Sequence, residues 1–236
     1  MQLNNLEKND LIKTIEHMII NSELNNQPGS LLYSSISTLS KSKLYFLGLN
    51  PGGVPDNKST ILDHLNFMTN KNNENFNEYC DGIWKPGGIE RPKGQAILQR
   101  RVQFLLSSLA TNTRRVFASN LIFKRSINEA LLNDKDALAE ICWKIHLKLL
   151  DVVNPSLILV MGNFCFKFIK NKMINIDDRK FFAAGHANWE CEYVNGKLNG
   201  MKTKLIKIPH LSRYDITVNT KVVDWIKLIG LENNMN

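Results

Sequence analysis

The chain has 236 residues, of which 43% are hydrophobic and 22% are charged, as is ordinary for a globular protein. This length predicts a single domain over residues 1–236 that buries a sizeable core. No apolar run approaches the roughly 20 residues that a membrane-spanning helix needs, and residues 1–8 lack the pattern of a secretory signal. We therefore expect a cytoplasmic protein without a membrane partner, and we expect a monomer.

The formal net charge of +8 is unevenly distributed along the chain. Residues 1–90 hold 7 Lys and Arg against 10 Asp and Glu, a net of −3, whereas residues 91–236 hold 23 against 12, a net of +11. A basic C-terminal part favours a polyanionic partner such as DNA, although lysines that merely solvate helix faces produce the same count.

Four cysteines are far apart in the sequence: Cys80, Cys142, Cys165 and Cys191. They form no Cys-x-x-Cys pair, so the sequence does not predict a zinc site or an iron–sulfur cluster. We interpret them as reduced core residues and expect neither a metal nor another cofactor.

Hydrophobic patterns predict the elements of secondary structure. In chain order they are a helix over 7–20, a strand over 43–48, an irregular segment over 54–94, a helix over 95–110, a strand over 115–119, a helix over 136–153, a strand over 157–161, a helix over 164–172, turns at Asn195-Gly196 and Asn199-Gly200, a strand over 204–208 and a helix over 218–229. Apolar strands that alternate with helices are typical of a parallel sheet covered on both faces. We therefore predict an α/β protein: one three-layer α/β/α domain with a central, mostly parallel four-stranded sheet and a helical N-terminal extension over about 1–42.

Polar loops follow the predicted strands. The first strand runs into Gly48-Leu49-Asn50-Pro51-Gly52-Gly53, and the last runs into Pro209-His210-Leu211-Ser212-Arg213-Tyr214. Asn120 follows the strand over 115–119. In open α/β sheets, ligands bind at the carboxyl ends of the strands, so these residues are candidates for a binding site.

These segments resemble motifs of the uracil-DNA glycosylase superfamily. Gly48–Gly52 is similar to the Gly-x-Asn-Pro-Gly form of the first motif, and His210-Leu211-Ser212 is similar to the second motif, His-x-Ser. Val116–Asn120 resembles the strand whose terminal Asn binds the base. The resemblance covers roughly residues 43–230, and it departs from the family at Leu211, where proline is usual.

The resemblance implies catalytic roles for two residues. Asn50 would orient the water that attacks the sugar, and His210 would donate to the departing base. Asp56, in the same loop as Asn50, is an alternative group for activating the water. Each residue also has a structural interpretation, because Asn before Pro commonly shapes a turn and an isolated His is commonly a satisfied structural residue. We interpret the remaining histidines as structural: His17, His64, His146 and His186.

The resemblance also implies a base-binding pocket. Asn120 would hydrogen-bond the base, and Gly48 and Leu49 would line the pocket. An aromatic ring would stack on the flipped base. Phe67 is our first choice for this ring, ahead of three other candidates: Tyr79, Trp84 and Phe123.

Contacts with DNA are expected from the loops beside the pocket. Ser212, Arg213 and Tyr214 belong to the second motif, which approaches the duplex in the family. Lys124 and Arg125 follow Asn120 closely enough to meet phosphates, although a solvated surface position explains Lys124 equally well.

The resemblance implies a monofunctional DNA glycosylase that hydrolyses the N-glycosidic bond of uracil, or of a related damaged or modified base, by base flipping. One alternative is a catalytically inactive or modified-base-specific nucleic-acid-binding relative of the same fold. Another is a nucleotide-processing enzyme with a phosphate loop at residues 48–53. Neither Gly-x-x-x-x-Gly-Lys-Ser/Thr nor Gly-x-Gly-x-x-Gly occurs, which disfavours the nucleotide-processing alternative.

Overall fold

The computed structural model of the chain describes residues 4–55 and 59–231, so Asp56 lies outside the described residues. Within these two ranges, six strands form one sheet: β1 (Leu44–Gly48), β2 (Phe117–Asn120), β3 (Leu157–Met161), β4 (Lys180–Ala183), β5 (Glu190–Leu198) and β6 (Met201–Ile208). Their order across the sheet is β2-β1-β3-β6-β5-β4. The first four are parallel to one another, and β5 and β4 extend the β6 edge as antiparallel strands.

The four predicted strands are present, but the prediction of a four-stranded sheet is wrong because it omits β4 and β5. Asn195-Gly196, predicted as a turn, lies inside β5, where Gly196 pairs with Thr203. A Cβ atom at Gly196 would lie 3.0 Å from Met173 Cε, so close packing is the reason for this glycine. The turn predicted at Asn199-Gly200 is confirmed, and its φ angles of 50° and 79° suit the tight connection from β5 to β6.

The helices are α1 (Asn5–Ile20), α2 (Ile61–Thr69), α3 (Glu78–Asp81), α4 (Ile97–Ser108), α5 (Lys135–Val153), α6 (Asn163–Lys170) and α7 (Lys221–Leu231). Helix α1 precedes β1, α7 follows β6, and the others lie in connections between strands. Short 3-10 turns add to them: Ile36–Thr38, Lys71–Asn73, Pro86–Gly88, Thr113–Arg115 and Glu129–Leu131. The segment predicted to be irregular contains α2 and α3. Side-chain caps explain both helices, because Thr60 accepts from Asp63 N and Asn77 accepts from Tyr79 N.

The helices pack on both faces of the sheet. Successive residues of a strand face opposite sides, so Tyr45 and Leu47 join one core cluster and Phe46 joins another. The first cluster includes apolar residues of α1, α2, α5 and α6, and the second includes those of α4 and α7. Where the structure describes the chain, no helix combines the length and apolar character needed to cross a membrane.

The segment before β1 also lies against the sheet. Leu32 pairs with Ser119, and Gly29 pairs with Lys124, so residues 28–34 run antiparallel beside β2 and the loop after it. The backbone N–H of Tyr33 donates to the carbonyl of Ala118 at 2.8 Å. The N-terminal extension is therefore helical only in part, and its second half brings Tyr33 next to the end of β2.

A buried histidine ties the core to the end of β2. The backbone carbonyls of Asn120 and Leu121 lie 3.0 and 3.2 Å from Nε2 of His146, so this nitrogen carries the proton. Its Nδ1 therefore accepts from the hydroxyl of Tyr45 at 2.8 Å. Burial lowers the pKa of His146 to about 4, and the structural interpretation of this histidine is confirmed.

We predict that His146 makes the protein less stable in mild acid. Its pKa is about 4 in the folded protein and about 6.5 when exposed, so between these values the unfolded chain binds more protons. The unfolding free energy should fall as the pH drops from 6.5 to 4, by up to about 1.4 kcal/mol per pH unit from this group. Urea titrations at several pH values should show that His146→Gln removes this component, whereas a His17→Ala variant keeps it. An unchanged slope in His146→Gln would contradict the assignment.

Candidate active site

Three of the residues singled out in the sequence lie at the carboxyl end of the parallel strands. β1 ends at Gly48 and β2 ends at Asn120, and these two residues are direct neighbours in register. Asn50 follows β1, and His210 follows β6. Because the carboxyl ends of parallel strands share an edge, Asn50, Asn120 and His210 lie at the same end of the sheet.

The Asn120 side chain is buried at the end of β2 and is not fully satisfied. Only 4% of this residue is exposed, and its Nδ2 has no hydrogen-bond partner among the described residues. A buried donor without a partner costs about 1–3 kcal/mol, so such a group is a candidate for binding a ligand. A Cβ atom at Gly48 would overlap Asn120 Oδ1, which explains why glycine is needed beside it.

Tyr33 lies beside this amide and is not predicted from the sequence. Its ring centroid lies 5.3 Å from that of Tyr79 and 6.1 Å from that of Trp84, so the ring is held on two sides. Burial and the charge of Glu78 raise the pKa of Tyr33 to about 12, while the charge of Arg125 and a weaker contact from the Asn120 amide, which does not reach hydrogen-bond geometry, oppose this shift. No local pattern indicates this position, because it depends on the antiparallel pairing of residues 28–34 with β2.

Asn50 uses one end of its amide to hold its own loop. Its Nδ2 donates to the carbonyls of Pro51 and Lys124, at 3.0 and 3.3 Å, and to Ser126 Oγ at 2.8 Å. Carbonyl oxygens only accept, so the nitrogen must point towards them and Oδ1 must point away. No described residue donates to Oδ1, and this oxygen therefore remains an acceptor for a water molecule.

Backbone hydrogen bonds join the Asn50 loop to the segment after β2. The carbonyls of Gly48 and Leu49 accept from the N–H groups of the two residues after Asn120, each at 2.9 Å. Arg125 Nη1 donates to the Gly52 carbonyl at 2.6 Å. The structure thus places Arg125 as a brace of the loop, and its contact with DNA stays a prediction. Lys124 is half-buried, and its contact with DNA also stays a prediction.

His210 is held as a neutral donor by its own loop. The backbone N–H of Ser212 donates to His210 Nδ1 at 3.2 Å, and Ser212 Oγ lies 2.8 Å from the same nitrogen. A backbone N–H only donates, so Nδ1 accepts and the proton resides on Nε2. Burial lowers the pKa of His210, as does the charge of Arg213, while Glu129 raises it.

The loop after His210 differs in part from the expectation. Ser212 and Arg213 are exposed, as a contact with DNA requires. Tyr214 is fully buried, and its hydroxyl donates to the carbonyl of Ala184. The prediction that Tyr214 contacts DNA is therefore corrected, because its side chain is part of the core. Leu211 is also fully buried, so it does not project towards a ligand.

The structure does not bring Phe67 to the end of the sheet. Phe67 is 43% exposed on α2 and packs edge-on against Phe76, with 4.9 Å between ring centroids. Both line an open surface cavity of about 760 Å³. Asn50, Asn120 and His210 are not part of its lining. The choice of Phe67 as the stacking ring is therefore corrected, because the cavity that its ring lines is lined by none of the three motif residues.

The other three aromatic candidates are less exposed than Phe67. Phe123 and Tyr79 are fully buried, whereas Trp84 is half-buried. The Trp84 indole donates to the Glu78 carboxylate at 2.9 Å, and His64 Nε2 lies 3.0 Å from the other oxygen. Tyr33, which is not one of these candidates, lies beside the Asn120 amide.

The described part of the chain contains no evident metal centre. Within residues 4–55 and 59–231, no group of three or more His, Cys, Asp and Glu side chains is placed to hold a metal ion. No protein-family model matches the chain, and comparison with curated proteins found no match either.

We predict that Gly48→Ala destabilises the protein through Asn120. The added Cβ overlaps Asn120 Oδ1, and overpacking of this kind costs about 1–3 kcal/mol. Gly52→Ala is the matched control, because no atom lies within 4 Å of its added Cβ, and we expect a change within about 0.5 kcal/mol. Chemical denaturation measures both variants.

The same variant should be rescued by a second substitution. In an Asn120→Ala background the overlap disappears, so Gly48→Ala should cost little. An equal cost in both backgrounds would show that Gly48 is required for another reason, such as contact with Met161.

Proposed function

We propose that this protein is a monofunctional DNA glycosylase that hydrolyses the N-glycosidic bond of uracil or of a related damaged or modified base. The observation that carries this proposal is the set of unused groups at the carboxyl edge of the sheet. The unused groups are two donors, Asn120 Nδ2 and His210 Nε2–H, and one acceptor, Asn50 Oδ1. One acceptor and two donors suit a water molecule and a base that carries carbonyl oxygens.

Asn120 supports recognition of a pyrimidine that carries a carbonyl group. Its unpartnered Nδ2 requires an acceptor, which uracil offers at O4, while Oδ1 accepts from the N3–H of the same base. Cytosine presents an exocyclic amine at the corresponding position, and two donors would then face each other. The base reaches this pocket only after it is flipped out of the helix.

His210 and Asn50 support the chemical step. Cleavage of the bond leaves negative charge on the base and positive charge on the sugar. A fixed neutral N–H at His210 stabilises the departing base without giving up its proton. Asn50 Oδ1 orients the attacking water by accepting a hydrogen bond, since an amide is not basic enough to remove its proton.

The charge distribution supports DNA as the substrate. Residues 91–236 carry a net charge of +11, and Arg213 is exposed beside His210. Neither residues 48–53 nor residues 209–214 include a lysine that would form a Schiff base with the sugar, which favours simple hydrolysis over strand cleavage.

The alternative of nucleotide processing has less support. Phosphate loops use unpaired N–H groups at the start of the following helix. The helix after the Asn50 loop is α2, and its first turn is closed by a capping box between Thr60 and Asp63, with hydrogen bonds of 2.9 and 3.1 Å. The Asp63 carboxylate at this position repels a phosphate.

Base release from oligonucleotides tests the proposal. Single- and double-stranded oligonucleotides that carry uracil, hypoxanthine or a modified pyrimidine are incubated with the protein, and the free base is quantified. We expect release of a base and no strand cleavage. Tight binding without release favours the inactive or base-binding relative of the same fold, whereas nucleotide binding with no affinity for DNA favours nucleotide processing.

We predict that Asn50→Ala lowers the single-turnover rate of base release at least about 100-fold, since the attacking water loses its acceptor in the chemical step. DNA affinity, measured by fluorescence anisotropy, should change less than about threefold, because the water is not needed for binding. Ser126→Ala is the matched control, because it removes a partner of Asn50 Nδ2 and leaves Oδ1 in place. A similar loss in both variants would mean that Asn50 only shapes the loop.

We predict that His210→Ala slows release of uracil by about 10²–10³-fold, the worth of one strong donor. The loss should be smaller for 5-fluorouracil, whose anion is more stable and needs less help to depart. Single-turnover rates on matched oligonucleotides measure both losses. Equal losses for the two bases would assign His210 to the structure of the loop or to DNA contact.

A further inference from the structure

Arg101 of α4 binds the backbone of the loop that carries His210. Its Nη1 donates to the carbonyl of Leu211 at 2.9 Å and lies 3.3 Å from the carbonyl of Ser212. Its Nη2 pairs with Asp215 Oδ2 at 2.9 Å. The Arg101 side chain is only 16% exposed, whereas that of Asp215 is 41% exposed, so the ion pair lies at the protein surface with the guanidinium on its inner side.

One peptide unit connects Arg101 to the imidazole. The Leu211 carbonyl that accepts from Arg101 and the Ser212 N–H that donates to His210 Nδ1 belong to the same planar group. In a trans peptide the C=O and N–H bonds point in opposite directions. Arg101 therefore holds one end of the plane while His210 Nδ1 is bound at the other end.

We infer that Arg101 is a positioning residue that keeps the proton of His210 on Nε2. The guanidinium fixes the orientation of the Leu211–Ser212 peptide and polarises it, which strengthens its N–H as a donor to Nδ1. If the peptide rotates, Nδ1 loses its fixed donor, and both neutral forms of the ring become accessible. The catalytic consequence rests on the proposed function, whereas the effect on the proton position does not.

Asp215 holds the guanidinium in place. Its Oδ2 accepts from Arg101, and its Oδ1 accepts from the N–H and the hydroxyl of Thr217 at 3.1 and 2.6 Å. The hydrogen bond from the Thr217 hydroxyl is the largest of the effects that hold the pKa of Asp215 below its ordinary value, and the hydrogen bond from Arg101 adds to it. The Arg101–Asp215 pair therefore stays ionised. The other charged groups that act on His210 are Arg213 and Glu129.

Nitrogen-15 NMR of the histidine rings tests the proton position without any substrate. His210→Ala identifies the His210 signals, and the proton position is then compared in wild type, Arg101→Gln and Asp215→Asn. Wild type should show an unprotonated Nδ1 and a protonated Nε2, whereas Arg101→Gln should show averaging between the two forms. Asp215→Asn should shift the signals in the same direction by a smaller amount.

Arg100→Gln is the matched control, because Arg100 is the exposed neighbour on the same helix, and it should match wild type. Circular dichroism confirms that each variant is folded. Wild-type signals in a folded Arg101→Gln variant overturn the inference. If Arg101→Gln does not fold, wild-type signals in Asp215→Asn overturn it instead.

A double-mutant cycle tests the catalytic consequence. Arg101→Gln should slow uracil release in the wild-type background by less than the about 10²–10³-fold loss expected for His210→Ala, because it misorients the donor without removing it. In the His210→Ala background it should have no further effect, because Arg101 acts through His210. Equal losses in both backgrounds overturn the positioning role. If wild type releases no base, the proposed function fails, and the NMR result still decides the inference.

Discussion

The register between β1 and β2 is the constraint on which the candidate site depends. It places Gly48 beside Asn120, and the space left by the missing Cβ is occupied by the Asn120 amide. A shift of one residue would turn Asn120 to the opposite face of the sheet. The buried His146 stabilises this arrangement, because its imidazole binds both the Asn120 carbonyl of β2 and the Tyr45 hydroxyl of β1. Stability of the core and geometry of the site are thus linked through the ends of two strands.

The two loops at this edge are fixed by hydrogen bonds to distant segments. The Asn50 loop is bound to Ser126 and braced by Arg125, and the His210 loop is bound to Arg101. The contacts from Arg125 and Arg101 use backbone carbonyls of the loops, whereas the contact with Ser126 uses the side-chain amide of Asn50. Donors and acceptors that are fixed before a reaction need not reorganise during it, which is the condition under which they stabilise a transition state best.

Local sequence predicts the elements whose signal is contained within them. The strand Leu157–Met161 is apolar throughout, and α5 has a clear helical period, so both are predictable nearly to the residue. β5 escapes prediction because its alternating pattern is interrupted by Asn195-Gly196, which resembles a turn. The helices α2 and α3 are not predicted, because they are short and depend on side-chain caps within a segment rich in Asn and Gly.

Contacts between distant segments explain what the sequence does not predict at the site. Tyr33 reaches Asn120 through strand-like pairing across more than 80 residues, and Arg101 binds a loop 110 residues away. No pattern within a single element contains this information. At Tyr214 the prediction is wrong for a different reason. Its position next to a motif in the sequence suggests exposure, whereas its side chain is buried in the core.

The structural and functional interpretations of the three motif residues do not exclude each other. Asn50 and His210 each use one polar atom to hold the loop and leave the other unused, and Asn120 is confined by packing while its Nδ2 stays unpaired. The atoms left over differ in kind: Asn50 presents an acceptor, whereas Asn120 and His210 present donors. A bound phosphate would be repelled by the Asn50 oxygen, since both are acceptors. Under the proposed function, a water molecule beside a base with carbonyl oxygens would pair with all three groups, and this complementarity is the argument for hydrolysis of a base over binding of a nucleotide.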